Sequence, residues 1–317
     1  MGARDWKAGA PRGLTLGAAI VVLLLLLPTA CGSDDRQSGD DGLVVIASMS
    51  FLADIAQNVA GDRFEVHSLV PIDTDPHSFQ PAPSDLREIA EADIVILNGG
   101  GVEGTLTTTL ESAGGGPVQV IASRGLASRR PQPGEPTLDE DDTDPHFWLD
   151  PLLVATYVEN IRGAFSEADP AGAAAYEANA AAYVDQLEAL DAEIRAQIGT
   201  LPVAHRKLVM NHASHGYYAD AYGLEIVGTV IPSVGTGESP TARQLGELTR
   251  AISESGAQAV FVELGEDPKL AQQIAAETGI EVVDDLLDHS LTDPDGVAPT
   301  YIEMLRFDTD RIVEALR

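Results

Sequence analysis

The sequence predicts an α/β protein of two lobes, each with a four-stranded, mainly parallel sheet and flanking helices, joined by one long connecting helix. Short runs rich in Val, Ile and Leu alternate with helical patterns in both halves of the chain. Such runs are typical of parallel strands that are buried on both faces. Between the halves lies one helical pattern that is long enough to cross a whole domain.

The N-terminus, residues 1–30, is predicted to be a secretory signal peptide. Basic residues Arg4, Lys7 and Arg12 precede an uncharged apolar run, residues 16–27. This run is too short for a comfortable membrane span, and its order after a basic segment is typical of an export signal.

Cys31, the only cysteine, directly follows this segment. Its position is typical of a bacterial lipoprotein cleavage site, where the cysteine becomes the lipidated first residue. The alternative is ordinary signal cleavage that leaves a free thiol, because a single cysteine cannot form an internal disulfide. Residues 31–42 are polar and indicate a flexible tether.

The predicted N-terminal lobe spans residues 43–167 and the C-terminal lobe spans residues 200–317. The four predicted strands of the first lobe are Leu43–Ala47, Phe64–Val70, Ile94–Leu97 and Val118–Ile121. Those of the second lobe are Leu208–Met210, Leu224–Val227, Ala259–Val262 and Glu281–Val283.

The connecting helix is predicted over residues 168–199. Asp169 and Pro170 are suited to its start, and Gly199 and Pro202 to its end. Apolar residues recur between them at spacings of three and four: Ala173, Tyr176, Ala180, Tyr183, Leu187, Leu190, Ile194 and Ile198. A rod of this length between two α/β halves favours a rigid connector over an internal coiled coil.

The chain is strongly acidic, with a formal net charge of −31. Removal of residues 1–30, which hold three basic residues and one acidic residue, takes away +2 and leaves −33. Nucleic acid and anionic surfaces are therefore excluded as electrostatic partners. The acidic, Pro-rich segment 131–145 is either simply solvated or a feature that concentrates cations near a site.

The tripeptide Asp-Pro-His occurs twice, at residues 75–77 and 144–146. Proline fixes its own φ and disfavours the helical region for the preceding aspartate, so each histidine is held by a stiff local turn. Rigidly placed imidazoles in a chain with only seven histidines indicate a transition-metal site. The alternative is a pair of helix starts with incidental histidines.

Open α/β sheets bind ligands beyond the carboxyl ends of their strands. Four candidate metal ligands follow predicted strands, two in each half: His77, His146, His212 and Asp288. This set places an ion between the lobes. Three imidazoles and one carboxylate favour Zn²⁺, whereas Mn²⁺ prefers more oxygen ligands.

Other side chains compete for these places. His215 is the alternative to His212, and His289 is the alternative to Asp288. Glu263, at the end of a predicted strand, could also point into the cleft or simply lie at a helix N-terminus.

Four protein ligands leave no vacant coordination position for an activated water, so the set indicates that the ion is bound rather than used in catalysis. A metal-dependent hydrolase is the rival class. The sequence has no His-Glu-x-x-His motif, and the glycines at 99–104 lack the Lys-Ser/Thr of a phosphate-binding loop.

Taken together, these motifs resemble the zinc/manganese-type substrate-binding proteins of bacterial ABC importers. The resemblance covers about residues 43–317. The matching segments are 75–81 with 83–85, 144–151, 211–212 with 216–218 and 222–223, Asp288, and 300–305.

The resemblance implies the same two-lobed fold and metal ligands at His77, His146, His212 and Asp288. In manganese-leaning members the third position is often Glu, so His212 favours zinc. The implied protein is a monomeric extracytoplasmic receptor, not an enzyme, anchored to the cell membrane through lipid on Cys31. It captures Zn²⁺ for a membrane permease, and the alternative is Mn²⁺ on the same scaffold.

Overall fold

The computed structural model describes residues 42–112, 116–138 and 142–317. It contains two four-stranded sheets, and every strand pair in them is parallel. This confirms the predicted fold class. The signal peptide and Cys31, and all of the predicted tether except Gly42, lie outside the described residues.

All eight predicted strands are present. The first sheet contains β1 (Val45–Ala47), β2 (Val66–Ser68), β3 (Ile94–Leu97) and β4 (Val118–Ile121), in the order β2-β1-β3-β4. The second contains β5 (Lys207–Met210), β6 (Glu225–Thr229), β7 (Ala259–Glu263) and β8 (Glu281–Leu286), in the order β6-β5-β7-β8. Both sheets thus follow one plan, in which the second strand lies on one side of the first and the third and fourth strands lie on the other.

Helices connect and cover these strands. In the first half they are α1 (Ser50–Ala60), α2 (Pro83–Glu91), α3 (Gly104–Ser112) and α4 (Pro151–Ala168). The long helix is α5 (Ala173–Gly199), and the second half contains α6 (Gly216–Tyr222), α7 (Ala242–Ser255), α8 (Lys269–Thr278) and α9 (Tyr301–Ala315). Short 3₁₀ helices lie at Phe147–Leu149, Pro170–Gly172 and Val203–His205.

The long helix begins later than the sequence pattern suggests. Pro170–Gly172 forms a 3₁₀ turn, and α5 starts at Ala173 with Gly172 at its cap. The Asp169 carboxylate does not cap this helix; it accepts hydrogen bonds from Arg63 and Tyr176. The 27 residues of α5 span about 40 Å at 1.5 Å each.

The buried face of α5 joins the two halves. Its buried side chains are Tyr176, Ala180, Tyr183, Leu187, Leu190, Ile194 and Ile198. The helix packs against α1 and α4 of the first half and α9 of the second. The largest apolar core is therefore continuous from Val45 to Leu316 through both halves, and the lobe boundaries at 167 and 200 stay a prediction.

Residues 42–317 form one compact unit. Within the described part of the chain, no helix has both the length and the apolar character that a membrane crossing requires.

Candidate metal centre

Both Asp-Pro-His segments fold into the same local turn. The backbone N–H of His77 donates to Asp75 Oδ1 at 2.9 Å, and that of His146 donates to Asp144 Oδ1 at 3.1 Å. An aspartate that accepts from the backbone two residues ahead makes a turn of its own side chain. Each turn lies beyond the carboxyl end of a strand, the first after β2 and the second after β4.

Three imidazole rings meet between the two sheets. One ring nitrogen from each of His77, His146 and His212 lies within 4.8 Å of the other two. The Nε2 atoms of His146 and His212 are 3.3 Å apart. Sequence reasoning selected these three histidines, and the structure brings them together.

Asp288 lies at the same centre but in a different grouping. Its carboxylate shares a 4.8 Å cluster with His212 and Glu263 rather than with His77 and His146. The two alternative histidines flank it: His215 Nδ1 is 4.0 Å from Asp288 Oδ1, and His289 Nδ1 is 3.9 Å from Oδ2. Both histidines are buried beside Asp288, and neither replaces His212 in the cluster of three imidazoles.

Strand register in the second sheet explains why His212, Glu263 and Asp288 lie close together. Met210 at the end of β5 is paired with Phe261 of β7, and the next N–H, from Asn211, donates to Phe261 O at 2.8 Å. His212 therefore emerges beside the end of β7, where Glu263 lies. Glu263 is in turn paired with Leu286 of β8, two residues before Asp288.

The rings of His146 and His212 each have a carboxylate beside their Nδ1 atom. His146 Nδ1 is hydrogen-bonded to Asp144 Oδ1 at 2.8 Å. His212 Nδ1 lies 2.9 Å from Glu263 Oε1, although the two groups are not aligned as a hydrogen bond. A carboxylate at one ring nitrogen leaves the other nitrogen free to bind a metal ion.

The surroundings of His77 and His212 shift the pKa values of these two histidines in opposite directions. Burial, together with the neighbouring imidazoles of His146 and His212, holds the pKa of His77 well below its usual value, so His77 is neutral and able to bind a cation. Burial alone would lower the pKa of His212, but the carboxylate of Glu263 outweighs it and raises the pKa to about 9.

Several polar atoms at this centre are buried and have no hydrogen-bond partner among the described residues. They are His77 Nε2, His212 Nδ1, Glu263 Oε2, both carboxylate oxygens of Asp288 and His289 Nδ1. A buried polar group without a partner costs about 1–3 kcal/mol. Nitrogen and carboxylate donors that converge without partners are chemically suited to a divalent transition-metal ion.

The backbone at Asp288 is held in an unusual conformation. Its φ is +37°, in the left-handed region that side chains other than glycine seldom adopt. The buried Asp308 carboxylate accepts from the N–H groups of Leu287 and Asp288 at 2.8 and 3.1 Å, and Trp148 Nε1 donates to Asp288 O at 2.7 Å. These contacts from both halves fix the backbone of the turn that carries the Asp288 side chain.

Sequence reasoning did not assign roles to Asp308 and Trp148. Asp308 had a signal: it lies on the buried face of α9 at helical spacing from Met304, Leu305 and Ile312. A charged residue on an apolar face calls for a partner. Nothing in the sequence pointed to Trp148 as the donor to Asp288.

The glycine loop after β3 supports the second Asp-Pro-His turn. Asn98 donates from its side chain to Pro145 O at 3.0 Å, and the buried Glu103 carboxylate accepts from Asn98 N at 2.6 Å. A side chain on Gly100, whose φ is +68°, would meet Pro145 at 3.0 Å. Glycine is therefore required for this close approach, which is consistent with a loop near the cleft rather than a phosphate-binding loop.

Comparison with known proteins identifies the family. Residues 45–315 match the family described as Zinc-uptake complex component A periplasmic (ZnuA). The chain belongs to this family. The resemblance drawn from the motifs is thereby confirmed.

Relatives in this family include lipoproteins of metal transporters. The chain is 32% identical to the Manganese-binding lipoprotein MntA of Halalkalibacterium halodurans, over 94% of this chain and 97% of that protein. It is 28% identical to the Manganese ABC transporter substrate-binding lipoprotein PsaA of Streptococcus mitis, over 95% of this chain and 98% of that protein.

Solved structures show the same fold. The periplasmic zinc binding protein TroA from Treponema pallidum superimposes with a TM-score of 0.79 at 25% identity, covering 87% of this chain and 99% of TroA. The Mn-bound periplasmic metal binding protein from Candidatus Liberibacter asiaticus gives a TM-score of 0.75 at 27% identity, covering 87% and 100%.

The family consists of solute-binding receptors of metal ABC transporters. This chain is therefore a substrate-binding receptor for a divalent metal ion and not an enzyme. The hydrolase alternative has no support.

Proposed function

We propose that this receptor captures Zn²⁺ between its two lobes, with His77, His146, His212 and Asp288 as ligands. The observation that carries the proposal is the meeting of three imidazole nitrogens within 4.8 Å of one another. Three imidazole nitrogens and one carboxylate form a donor set that zinc accepts in tetrahedral geometry. The bound centre then has a net charge of +1, because only Asp288 contributes a negative charge.

Two of the proposed ligands have unpaired buried atoms, which supports their role. His77 Nε2 and both Asp288 oxygens have no hydrogen-bond partner in the described parts of the chain. Binding an ion would relieve the cost of leaving them unpaired. The Asp288 carboxylate is grouped with His212 and Glu263 rather than with all three imidazoles. Its side chain must therefore rotate toward His77 and His146 as the ion binds.

We propose that the receptor delivers the ion to a membrane permease, which its membership of an importer family supports. We propose that lipid on Cys31 tethers a monomeric receptor to the outer face of the cell membrane, with the flexible segment 31–42 between lipid and receptor. Two acyl chains or more provide the stable anchoring that a single chain cannot. Lobes at 43–167 and 200–317, joined by α5, would hold the ion between them.

Manganese is the second candidate substrate. Relatives that are named as manganese-binding align over nearly the whole chain, and two carboxylates, Glu263 and Asp288, lie in one cluster with His212. Oxygen ligands suit Mn²⁺ better than nitrogen ligands do. Zinc remains the first candidate because the third ligand position is the imidazole of His212.

A competition titration tests the proposal. Metal-stripped protein is titrated with Zn²⁺ and with Mn²⁺, each in the presence of the other, and the bound metal is quantified. We expect one equivalent of Zn²⁺ to bind and to displace Mn²⁺. Preferential uptake of Mn²⁺ would establish the second candidate, and uptake of neither ion would refute the assignment of this centre.

A further inference from the structure

In each lobe a buried carboxylate lies beside Nδ1 of a buried histidine ring. This similarity suggests a role for Glu263. In the first lobe Asp144 lies 2.8 Å from Nδ1 of His146. In the second lobe Glu263 lies 2.9 Å from Nδ1 of His212. The Nε2 atoms of the two rings face each other across 3.3 Å, so both rings direct the same nitrogen toward the proposed ion.

Glu263 is rigidly placed for this task. It is 1% exposed and is the last residue of β7, an inner strand between β5 and β8. Glu263 and Leu286 are paired after a register irregularity in the β7–β8 ladder, and Ser214 Oγ donates to Glu263 Oε1 at 3.5 Å. His212 itself is fully buried, so its ring has few orientations open to it.

We propose that Glu263 is a positioning residue for metal binding, which holds His212 with Nε2 toward the ion and makes that nitrogen a stronger donor. The inference rests on the proposed function of this centre. Nδ1 and Oε1 are already at hydrogen-bond distance, so a small rotation of the ring aligns them when Nε2 binds the ion. Partners of this kind typically change metal affinity by about 10- to 100-fold.

The first test compares three variants of the metal-stripped protein by Zn²⁺ titration against a competing chelator. We expect Glu263→Ala to weaken binding by about 10- to 100-fold. Glu263→Gln should recover most of the affinity, because its amide oxygen can still accept from Nδ1–H. The matched control is Glu266→Ala, which removes the same charge from a half-buried neighbour that acts on His212 only through its charge, and it should stay within about threefold of wild type.

A double-mutant cycle distinguishes positioning from direct ligation. If Glu263 acts only through His212, then Glu263→Ala costs nothing further in a His212→Ala background. A second loss of tenfold in that background would show that Glu263 contacts the ion itself and would overturn the inference. Equal effects of Glu263→Ala and Glu266→Ala would also overturn it, since charge alone would then explain the loss.

A measurement on the unmutated protein guards against variants that fail to fold. Nitrogen-15 NMR of the zinc-loaded protein reports which ring nitrogen of His212 retains its proton. We expect the proton on Nδ1, and a proton on Nε2 contradicts the inference. Failure of the unmutated protein to take up zinc would refute the proposed function itself, whereas normal uptake with an unchanged Glu263→Ala variant refutes only the role of Glu263.

Discussion

The two Asp-Pro-His segments have the same three residues and different surroundings. In both, the aspartate accepts a hydrogen bond from the histidine backbone. At 144–146 the same carboxylate also holds the histidine ring, at 2.8 Å. At 75–77 it reaches away from the ring and accepts from the Thr236 hydroxyl, on the loop after β6, at 2.6 Å.

The neighbours of the two segments differ as well. Pro145 O accepts from Asn98, Asp144 O accepts from Tyr217, and the buried Arg129 lies 3.6 Å from the Asp144 carboxylate. The first segment is less enclosed, and His77 is half-buried where His146 is 1% exposed. The comparison teaches that His146 is fixed before the ion binds, whereas His77 is held by a contact between the two halves.

Arg129 extends this contrast to the acidic segment. It forms a bidentate pair with Glu135 at 2.7 and 2.8 Å and binds Asp220 of α6 at 2.7 Å. Glu135 therefore neutralises a buried arginine and links the segment to the second half of the molecule. The Glu135 carboxylate is therefore neither simply solvated nor free to concentrate cations near the site.

The largest expected loss of zinc affinity comes from removing the imidazole ring of either Asp-Pro-His segment. His77→Ala and His146→Ala should each weaken zinc binding by more than about 100-fold, because each removes one of four donors. Zinc titration of the stripped variants measures the loss. His67→Ala is the matched control: His67 is exposed on β2, and its replacement should leave affinity unchanged. If His77→Ala bound zinc normally, the first segment would not be part of the site.

The next largest effect is a difference in zinc affinity between variants of the two aspartates, Asp144 and Asp75. Asp144→Ala should weaken zinc binding by about 10- to 100-fold, because His146 loses the partner at Nδ1. Asp75→Ala should cost less than about tenfold, since its carboxylate does not touch the His77 ring. Side-by-side titrations test the difference, with circular dichroism to establish that both variants fold. Equal losses would mean that the aspartates act only on the backbone turn.

A smaller effect is expected across the cleft. Thr236→Val keeps the shape of the side chain and removes its hydrogen bond to Asp75, and a hydrogen bond to a charged group is worth about 1.5–3 kcal/mol. We expect zinc to leave faster, by up to about tenfold, as measured by stopped-flow transfer to a chelator. Thr249→Val on α7 is the control, because its hydroxyl bonds only within its own helix. An unchanged release rate would show that this contact does not hold His77.

The smallest effect tests a contact away from the cleft. Asp54 on α1 accepts from Tyr301 N at 3.0 Å, and burial raises the pKa of Asp54 from 3.8 to about 6. Since the folded pKa lies above the unfolded one, the free energy of unfolding falls as pH rises from about 4 to about 6 and then levels off.

Asp54→Asn removes this titration. Relative to wild type, its free energy of unfolding should therefore rise by about 1–3 kcal/mol between pH 4 and pH 7. Urea unfolding of the metal-free proteins at both pH values measures the change. Zinc affinity at pH 7 should be unaltered, and a large loss of affinity would mean that the metal site depends on this distant contact.

Much of the fold was predictable because its signals are local. Runs such as Ile94–Leu97 and Ala259–Val262 lie in fully buried strands, and the pattern in α5 correctly identified its buried face. The start of that helix was less predictable. Asp169 and Pro170 suit a helix start, but Arg63 and Tyr176 bind the Asp169 carboxylate and a 3₁₀ turn forms instead.

By itself, the sequence determined the eight strands and the two aspartate turns, because each depends on hydrogen bonds or apolar spacing within a few residues. Only the tertiary structure decided which partner each ring has. Glu263 reaches His212 through the pairing of β5 with β7, and Trp148 reaches Asp288 across the two halves. Such contacts depend on strand order and register, which bring together residues that are far apart in the chain.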